Sequence, residues 1–186
     1  MTARAKIVTA TLLGVTIAAV KGPFQWPITD YLIFVEAPIL GISFLLLGKG
    51  GATYSGLVNG LLQSAIKVSF FPLDLLFGVL YGVTVDIFGT LLGARGPDRT
   101  SLKRMTAALG LASTVTGVSI AYAVIALNIS LVPGPLNISG ADLVKLVYIP
   151  IVVWGILSGT IGGLISARIW DKNLRPRFGG APPGTD

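Results

Sequence analysis

Six long apolar runs that carry few charged residues constrain this chain more than any other feature of its sequence. They cover residues 7–20, 31–47, 52–70, 72–93, 105–127 and 143–169. A helix needs about 20 predominantly apolar residues to cross the hydrocarbon core of a bilayer. Hydrophobic residues make up 53% of the chain and charged residues only 12%, whereas soluble domains carry about 25% charge. The sequence therefore predicts an all-α membrane protein, a bundle of six transmembrane helices.

The domain organisation follows from these runs. We expect one transmembrane domain over residues 1–170 and a flexible cytoplasmic tail over 171–186, because the tail is rich in glycine and proline. The first run could also be the apolar core of a signal peptide, since Arg4 and Lys6 precede it. No clear A-x-A cleavage pattern follows it, which favours a retained helix.

The distribution of lysine and arginine predicts the orientation of the bundle. An N-terminus in the cytoplasm leaves only Lys21, Lys67 and Lys145, of 14 basic residues, on the outer side. Basic residues accumulate in cytoplasmic loops, so we expect both termini in the cytoplasm of a multi-pass cell-membrane protein. The net charge of +6 fits attraction to anionic lipid, and no nucleic-acid-binding motif accompanies it.

The absence of cysteine and histidine from the sequence narrows its chemistry. It removes thiolate nucleophiles, histidine acid–base catalysis and the usual zinc and haem sites. An intramembrane enzyme would have to use Glu36, Asp74 or Asp86 alone. A channel would need charged side chains along its whole length, and here they stop halfway. We therefore expect no enzyme, no cofactor and no metal site.

Polar residues inside the predicted spans gather in the outer half of the bilayer. A charge at mid-membrane costs about 2.5–3.5 kcal/mol, so such residues usually face a cavity or a partner. The candidate substrate-binding residues are Trp26, Glu36, Asn59, Gln63, Lys67, Asp74, Tyr81, Asn128, Lys145, Tyr148 and Trp154. For Trp26, Lys67, Lys145 and Tyr148, interfacial anchoring is the alternative. Asp86, about three turns deeper than Asp74, is open to a structural or a functional role.

Small residues recur at four-residue spacing in several spans. In the third, fourth and sixth spans this pattern predicts close helix packing within the bundle. The first span carries Ala10, Gly14 and Ala18 on one face and, as the terminal helix, has the fewest neighbours. We expect this stripe to dock a helix of another protein, with packing inside the chain as the alternative.

The layout resembles the substrate-binding S-component of energy-coupling factor (ECF) transporters. The resemblance rests on the six spans, the stripe of the first span, the Gly-Lys-Gly-Gly run at 48–51, and the passages at 55–61 and 70–78. It implies a vitamin-capturing bundle whose cavity opens outward beneath the loop at 21–30. It also implies docking of Ala10, Gly14 and Ala18 on a transmembrane T-component that carries ATPase subunits. The chain has no Walker A sequence of its own, so ATP hydrolysis would belong to these partners.

The candidate residues also limit the ligand. Carboxylates, amides and aromatic rings suit a small, flat, hydrogen-bonding heterocycle, and a thiamine- or pyrimidine-like compound fits best. Riboflavin, biotin and other vitamins remain open. The competing hypothesis is a non-catalytic structural subunit of a larger membrane complex, in which the polar side chains pair with one another or with a partner and no ligand cavity exists.

Overall fold

A computed structural model describes residues 2–24, 28–67, 72–96, 100–126 and 149–178, and all regular secondary structure in these ranges is helical. The helices are α1 (Ala3–Lys21), α2 (Ile28–Tyr31), α3 (Ile33–Leu47), α4 (Gly51–Ile66), α5 (Leu73–Leu91), α6 (Leu102–Ala126), α7 (Ile149–Ile169) and α8 (Arg175–Phe178). A π-helical turn, Trp170–Leu174, joins α7 to α8. For the described residues, the prediction of an all-helical fold is confirmed.

Four helices in the described ranges are long and apolar enough to cross a membrane. They are α1, α5, α6 and the path that begins with α7 and runs on to Arg177. Large apolar side chains on their outer faces are exposed, among them Leu12, Leu91 and Ile161. Exposed apolar side chains on spanning helices suit contact with lipid. The structure thus supports a membrane protein with several spanning helices.

The two remaining long helices are shorter. α3 has 15 residues and α4 has 16, so each is about 22–24 Å long at 1.5 Å per residue. The predicted spans at 31–47 and 52–70 are both longer than these helices. One reason lies before Ile33, where the short α2 and a turn replace the regular start of the predicted helix.

Contacts between α1, α4 and α5 show how these helices are directed. Ser55 and Gln63 on α4 bond to the carbonyls of Ala10 and Ala18, so α1 and α4 run in the same direction. Asp86, late in α5, contacts the first turn of α4, so α5 runs in the opposite direction.

The second half of the bundle alternates in the same way. Gly163 faces Thr106 and Gly117 faces Val152, which makes α6 and α7 antiparallel. Gly155 and Gly162 of α7 face Ile33 and Ala37 of α3, so these two helices run in the same direction. One end of the bundle therefore gathers the last turns of α1, α4 and α6 with the first turns of α3, α5 and α7.

Basic residues are separated along the bundle. Lys21 and Lys67 lie at the end just defined. The other described lysines and arginines lie at the opposite end, at Arg4, Lys6, Lys49, Arg95, Lys103, Arg104, Arg168, Lys172, Arg175 and Arg177.

Glycine sets the spacing of the helix pairs. Gly56 and Gly60 of α4 face Gly78 and Gly82 of α5. A Cβ atom on Gly60 would lie 2.9 Å from the Cα of Leu75, closer than real Cβ contacts. The predicted packing of the glycine lines of the third and fourth spans within the bundle is confirmed.

The small-residue stripe on α1 corrects an expectation. Ala10, Gly14 and Ala18 are buried against α4 of the same chain. A Cβ on Gly14 would lie 2.7 Å from the Ser55 carbonyl oxygen. This face is therefore filled internally and is not an exposed docking surface. The sequence could not show it, because a small-residue groove has the same pattern whether its partner helix belongs to the same chain or to another.

The end of the helical path also differs from the predicted boundary at residue 170. Asp171 accepts a hydrogen bond from the backbone amide of Thr100, and its Oδ1 lies 3.6 Å from Arg175 Nη1. These contacts tie the turn after α7 to the segment before α6, and helix continues to Phe178. The rest of the predicted tail, 179–186, lies outside the described residues.

Candidate functional site

A cavity of about 110 Å³ lies at the end of the bundle that carries Lys21 and Lys67. Its volume is of the same order as the about 150 Å³ cavity that admits a benzene molecule. Six of the predicted site residues line it: Glu36, Asn59, Gln63, Lys67, Asp74 and Tyr81. The structure thus brings together side chains from α3, α4 and α5 that are distant in sequence.

Glu36 lies in the first turn of α3 and is only 3% exposed. Lys21 Nζ, at the end of α1, is 2.5 Å from its Oε2, and Asn59 Nδ2 donates to its Oε1 over 3.0 Å. A buried carboxylate needs such partners, because an uncompensated charge is costly away from water. For Glu36 the sequence indicates a partner such as Lys67 or a ligand amine, or else a protonated carboxyl group, and the structure places Lys21 beside it. Lys67 Nζ donates to Thr29 Oγ1 over 3.1 Å.

Asn59 and Gln63 lie one turn apart on α4 and are 2% and 3% exposed. Each amide NH₂ group has an acceptor: Asn59 donates to Glu36, and Gln63 Nε2 donates to the Ala18 carbonyl over 3.4 Å. Their amide oxygens are buried and have no hydrogen-bond partner among the described residues. The same is true of Asp74 Oδ2, on the first turn of α5. Three unsatisfied acceptor oxygens therefore belong to the lining of one cavity.

The remaining wall is largely apolar. Ile33, Phe77, Ile120 and Ile151 contribute hydrophobic surface. Tyr81 is buried, and its hydroxyl group shares a 2.7 Å hydrogen bond with Ser113 on α6. An apolar wall with a few placed polar groups is typical of sites for small molecules.

Trp154 is separate from this cavity. Its side chain is 39% exposed, its Nε1 donates to the Tyr31 carbonyl, and its ring packs against Tyr31 and Phe34. It is therefore not among the lining residues. Trp26, Asn128, Lys145 and Tyr148 lie outside the described residues.

Several lining residues escaped the sequence reading. Lys21, Thr29, Thr116 and Gly117 all face the cavity. Lys21 could have been found, because the predicted topology already placed it and Glu36 near the same membrane surface. Thr116 and Gly117 carry no such signal, since small and hydroxyl residues are common throughout α6.

Asp86 has a structural role in this fold. Its carboxylate accepts hydrogen bonds from the backbone amides of Ala52 and Thr53, at 3.2 and 2.8 Å, and from the Thr53 hydroxyl group at 2.6 Å. The first amides of a helix have no partner within it, and a carboxylate satisfies them. Asp86 thus caps α4 from the neighbouring helix, in a place where Gly50 at the N-cap has no side chain to do so.

The described residues contain no cluster of three or more Asp, Glu, His or Cys side chains that could hold a metal ion. The described lining of the cavity offers hydrogen bonding, charge and apolar contact.

Comparisons of the chain with protein-family models, with curated proteins and with solved structures give no match.

Proposed function

We propose that this chain is a multi-pass membrane protein that captures a small water-soluble solute at the outer face of the cell membrane. The observation that carries this proposal is the cavity itself. Buried polar groups in native proteins are almost always hydrogen-bonded, yet three residues that line this cavity each have a buried oxygen without a partner in the part of the chain that the structure describes. A bound solute would satisfy them.

The proposed topology has six spans and both termini in the cytoplasm. It is supported by the separation of basic residues, which lie mostly at the end of the bundle opposite the cavity. Lys and Arg mark the cytoplasmic side, so the cavity falls in the outer half of the membrane. In this topology α3 and α4 complete the spans, their shortness being met by local thinning of the bilayer or by flanking residues.

The proposed transport step follows the S-components of ECF transporters, which the sequence resembles. The captured solute, with a thiamine- or pyrimidine-like compound favoured, would be delivered by a transmembrane T-component and ATPase subunits. The absence of a Walker A sequence supports an external energy source. Ala10, Gly14 and Ala18 form no part of the proposed contact with these partners, because α4 covers them.

The second candidate is a structural subunit of a membrane complex. The internal pairing of Glu36 with Lys21 and Asn59 favours it, since polar groups that satisfy one another need no ligand. The unsatisfied oxygens of Asn59, Gln63 and Asp74 favour solute capture instead.

Mass spectrometry of small molecules released from the purified chain tests the proposal. We expect one water-soluble compound to be retained, and its re-addition to raise the melting temperature. At 100 times the dissociation constant, binding adds about 2.7 kcal/mol to the free energy of unfolding. Absence of a retained compound, together with no stabilisation by a panel of vitamins and their precursors, would favour the structural subunit.

A further inference from the structure

The orientation of two buried amides defines what the cavity can bind. An amide side chain carries an acceptor oxygen and a donor NH₂ group, which hydrogen bonds must distinguish. Asn59 Nδ2 faces a carboxylate oxygen and Gln63 Nε2 faces a carbonyl oxygen. Neither partner can donate a hydrogen, so both assignments are fixed by chemistry. The unsatisfied atoms are therefore oxygens in both residues.

The third unsatisfied atom is of the same kind. Asp74 Oδ2 is a carboxylate oxygen, which accepts hydrogen bonds and, when ionised, donates none. Asp74 packs against the stretch of α4 that carries the two amides, because a Cβ on Gly60, which lies between Asn59 and Gln63, would be 3.2 Å from the Asp74 backbone oxygen. Three residues of the cavity lining thus each carry a buried acceptor oxygen without a described partner, and one of these oxygens belongs to a side chain able to carry a negative charge.

Glu36 differs from Asp74, although the sequence suggests the same role for both. Both of its oxygens already accept hydrogen bonds, from Lys21 and from Asn59. Its contribution is to hold the NH₂ group of Asn59 and so to turn the Asn59 oxygen away from itself. Glu36 is therefore a positioning residue, and Asp74 is the carboxylate with an oxygen left for a ligand.

We propose that the cavity selects a compact nitrogen compound that presents an amidine-like edge of N–H donors to Asp74, Asn59 and Gln63. Donors on such an edge match three acceptors, whereas a carboxylate or a donor-free ring leaves them unsatisfied in a buried site. This inference rests on the proposed capture of a solute and names the recognition chemistry of that same cavity.

Two matched probe pairs test the selectivity. 4-Aminopyrimidine and 4-methylpyrimidine have similar shapes and differ in the exocyclic donors, and acetamidinium and acetate are similar in shape but differ in donors and charge. Binding to the full chain in detergent is measured by ligand-observed NMR, which suits weak ligands. We expect the donor member of each pair to bind about tenfold tighter or more. Equal binding within a pair, or tighter binding of the acceptor member, would overturn the proposal.

Substitutions show which residues produce the preference for 4-aminopyrimidine over 4-methylpyrimidine. Asp74→Asn and Gln63→Leu should each weaken 4-aminopyrimidine about tenfold and leave 4-methylpyrimidine within about twofold. The control is Ser119→Ala, which removes an exposed hydroxyl group that bonds to the Val115 carbonyl of its own helix. Unchanged 4-aminopyrimidine affinity in both cavity variants would contradict the assignment, with the melting temperature of each ligand-free variant confirming that it is folded.

Glu36→Gln tests the positioning role. A glutamine can offer either its oxygen or its NH₂ group to Asn59, so the amide of Asn59 is no longer held in one orientation. We expect the affinity ratio of 4-aminopyrimidine to 4-methylpyrimidine to fall about fivefold. A change that is equal for both probes would indicate a role in folding alone.

The outcomes separate this inference from the function on which it rests. If a retained solute binds tightly but is insensitive to Asp74→Asn and Gln63→Leu, capture stands and the recognition rule fails. If neither the probes nor any retained solute bind, the capture function fails with it.

Discussion

Because Gly14 has no side chain, α1 can approach α4 closely at this residue. Gly14→Ala would place a methyl group 2.7 Å from the Ser55 carbonyl oxygen and 2.8 Å from the Cβ of Val58. We expect a loss of about 1–3 kcal/mol in the free energy of unfolding, because backbone and a β-branched side chain must move. Thermal unfolding followed by circular dichroism in one detergent measures the change.

Gly117→Ala is the matched control for this substitution. Its added Cβ would meet Val152 at an ordinary 3.5 Å, and alanine favours a helix by about 1 kcal/mol over glycine. We expect Gly117→Ala to be neutral or stabilising. Equal stability of the two variants would show that α1 does not pack on α4 as described.

The cap formed by Asp86 gives a second prediction for one residue. Asp86→Asn replaces an acceptor-only group that receives two backbone amides and the Thr53 hydroxyl group. We expect a cost of about 1–3 kcal/mol, since hydrogen bonds to a charged group are lost at a helix terminus. Asp171→Asn, at a carboxylate that is 27% exposed, should cost less than about 1 kcal/mol. The reverse order would contradict the capping role.

Residue patterns in the sequence predicted part of the site. Asn59, Gln63 and Lys67 recur at helical spacing, so a shared face of α4 was visible, and Glu36 and Asp74 stood out as carboxylates in apolar runs. The sequence did not show which of these side chains pair with one another. Whether Glu36 meets Lys21 or Lys67 depends on how α1 and α3 pack, and Trp154 lies outside the cavity because its ring packs on Tyr31 and Phe34.

At the scale of helices, the close contact of α4 with α5 brings Asp74 of α5 to the same cavity as Asn59 and Gln63 of α4. Gly60→Ala would push the α5 backbone at Leu75 away from α4 and so separate Asp74 from Asn59 and Gln63. We expect the affinity for the retained solute to fall about tenfold, which equals about 1.4 kcal/mol. Titration calorimetry of the purified variant gives this number.

The control for a general loss of stability is Gly163→Ala. It is equally crowded, with its Cβ 2.6 Å from the Cα of Thr106, but it lies at the α6–α7 contact and does not line the cavity. We expect lower stability and unchanged affinity. A similar loss of affinity in both variants would mean that the α4–α5 spacing has no special role in binding.

Helices were predicted better than their ends. The apolar runs predicted the ends of α1, α5 and α6 within a few residues, because charged or polar residues, glycine or proline bound each run. The predicted third span continued to residue 70, whereas α4 ends at Ile66. Hydropathy does not mark this end, since Val68 and Phe70, beyond Lys67, are as apolar as the residues of α4.

At the scale of the whole molecule, cysteine labelling tests the proposed orientation in the membrane. The chain has no cysteine, so single cysteines can be introduced without removing others. We expect Phe24→Cys, near the cavity end, to react with an impermeant maleimide added to intact cells. Lys49→Cys and Lys103→Cys, at the basic end, should react only after the membrane is permeabilised. Labelling of both ends from one side, or the opposite pattern, would contradict the topology.

The large-scale arrangement was predictable because hydropathy and charge act on the whole chain. Composition alone favours a helical membrane protein, and the basic residues separate along the bundle as the sequence suggests. The helix that covers Ala10, Gly14 and Ala18 of α1 was not predictable, since a groove of small residues does not identify its partner.

Native mass spectrometry of the wild-type chain beside Gln63→Leu tests whether the cavity that Gln63 lines holds a solute. We expect the wild-type protein, released gently from detergent, to carry one non-covalent small molecule that the variant lacks, while both chains are folded. A wild-type protein that binds no solute, or a solute retained equally by both chains, would contradict this expectation.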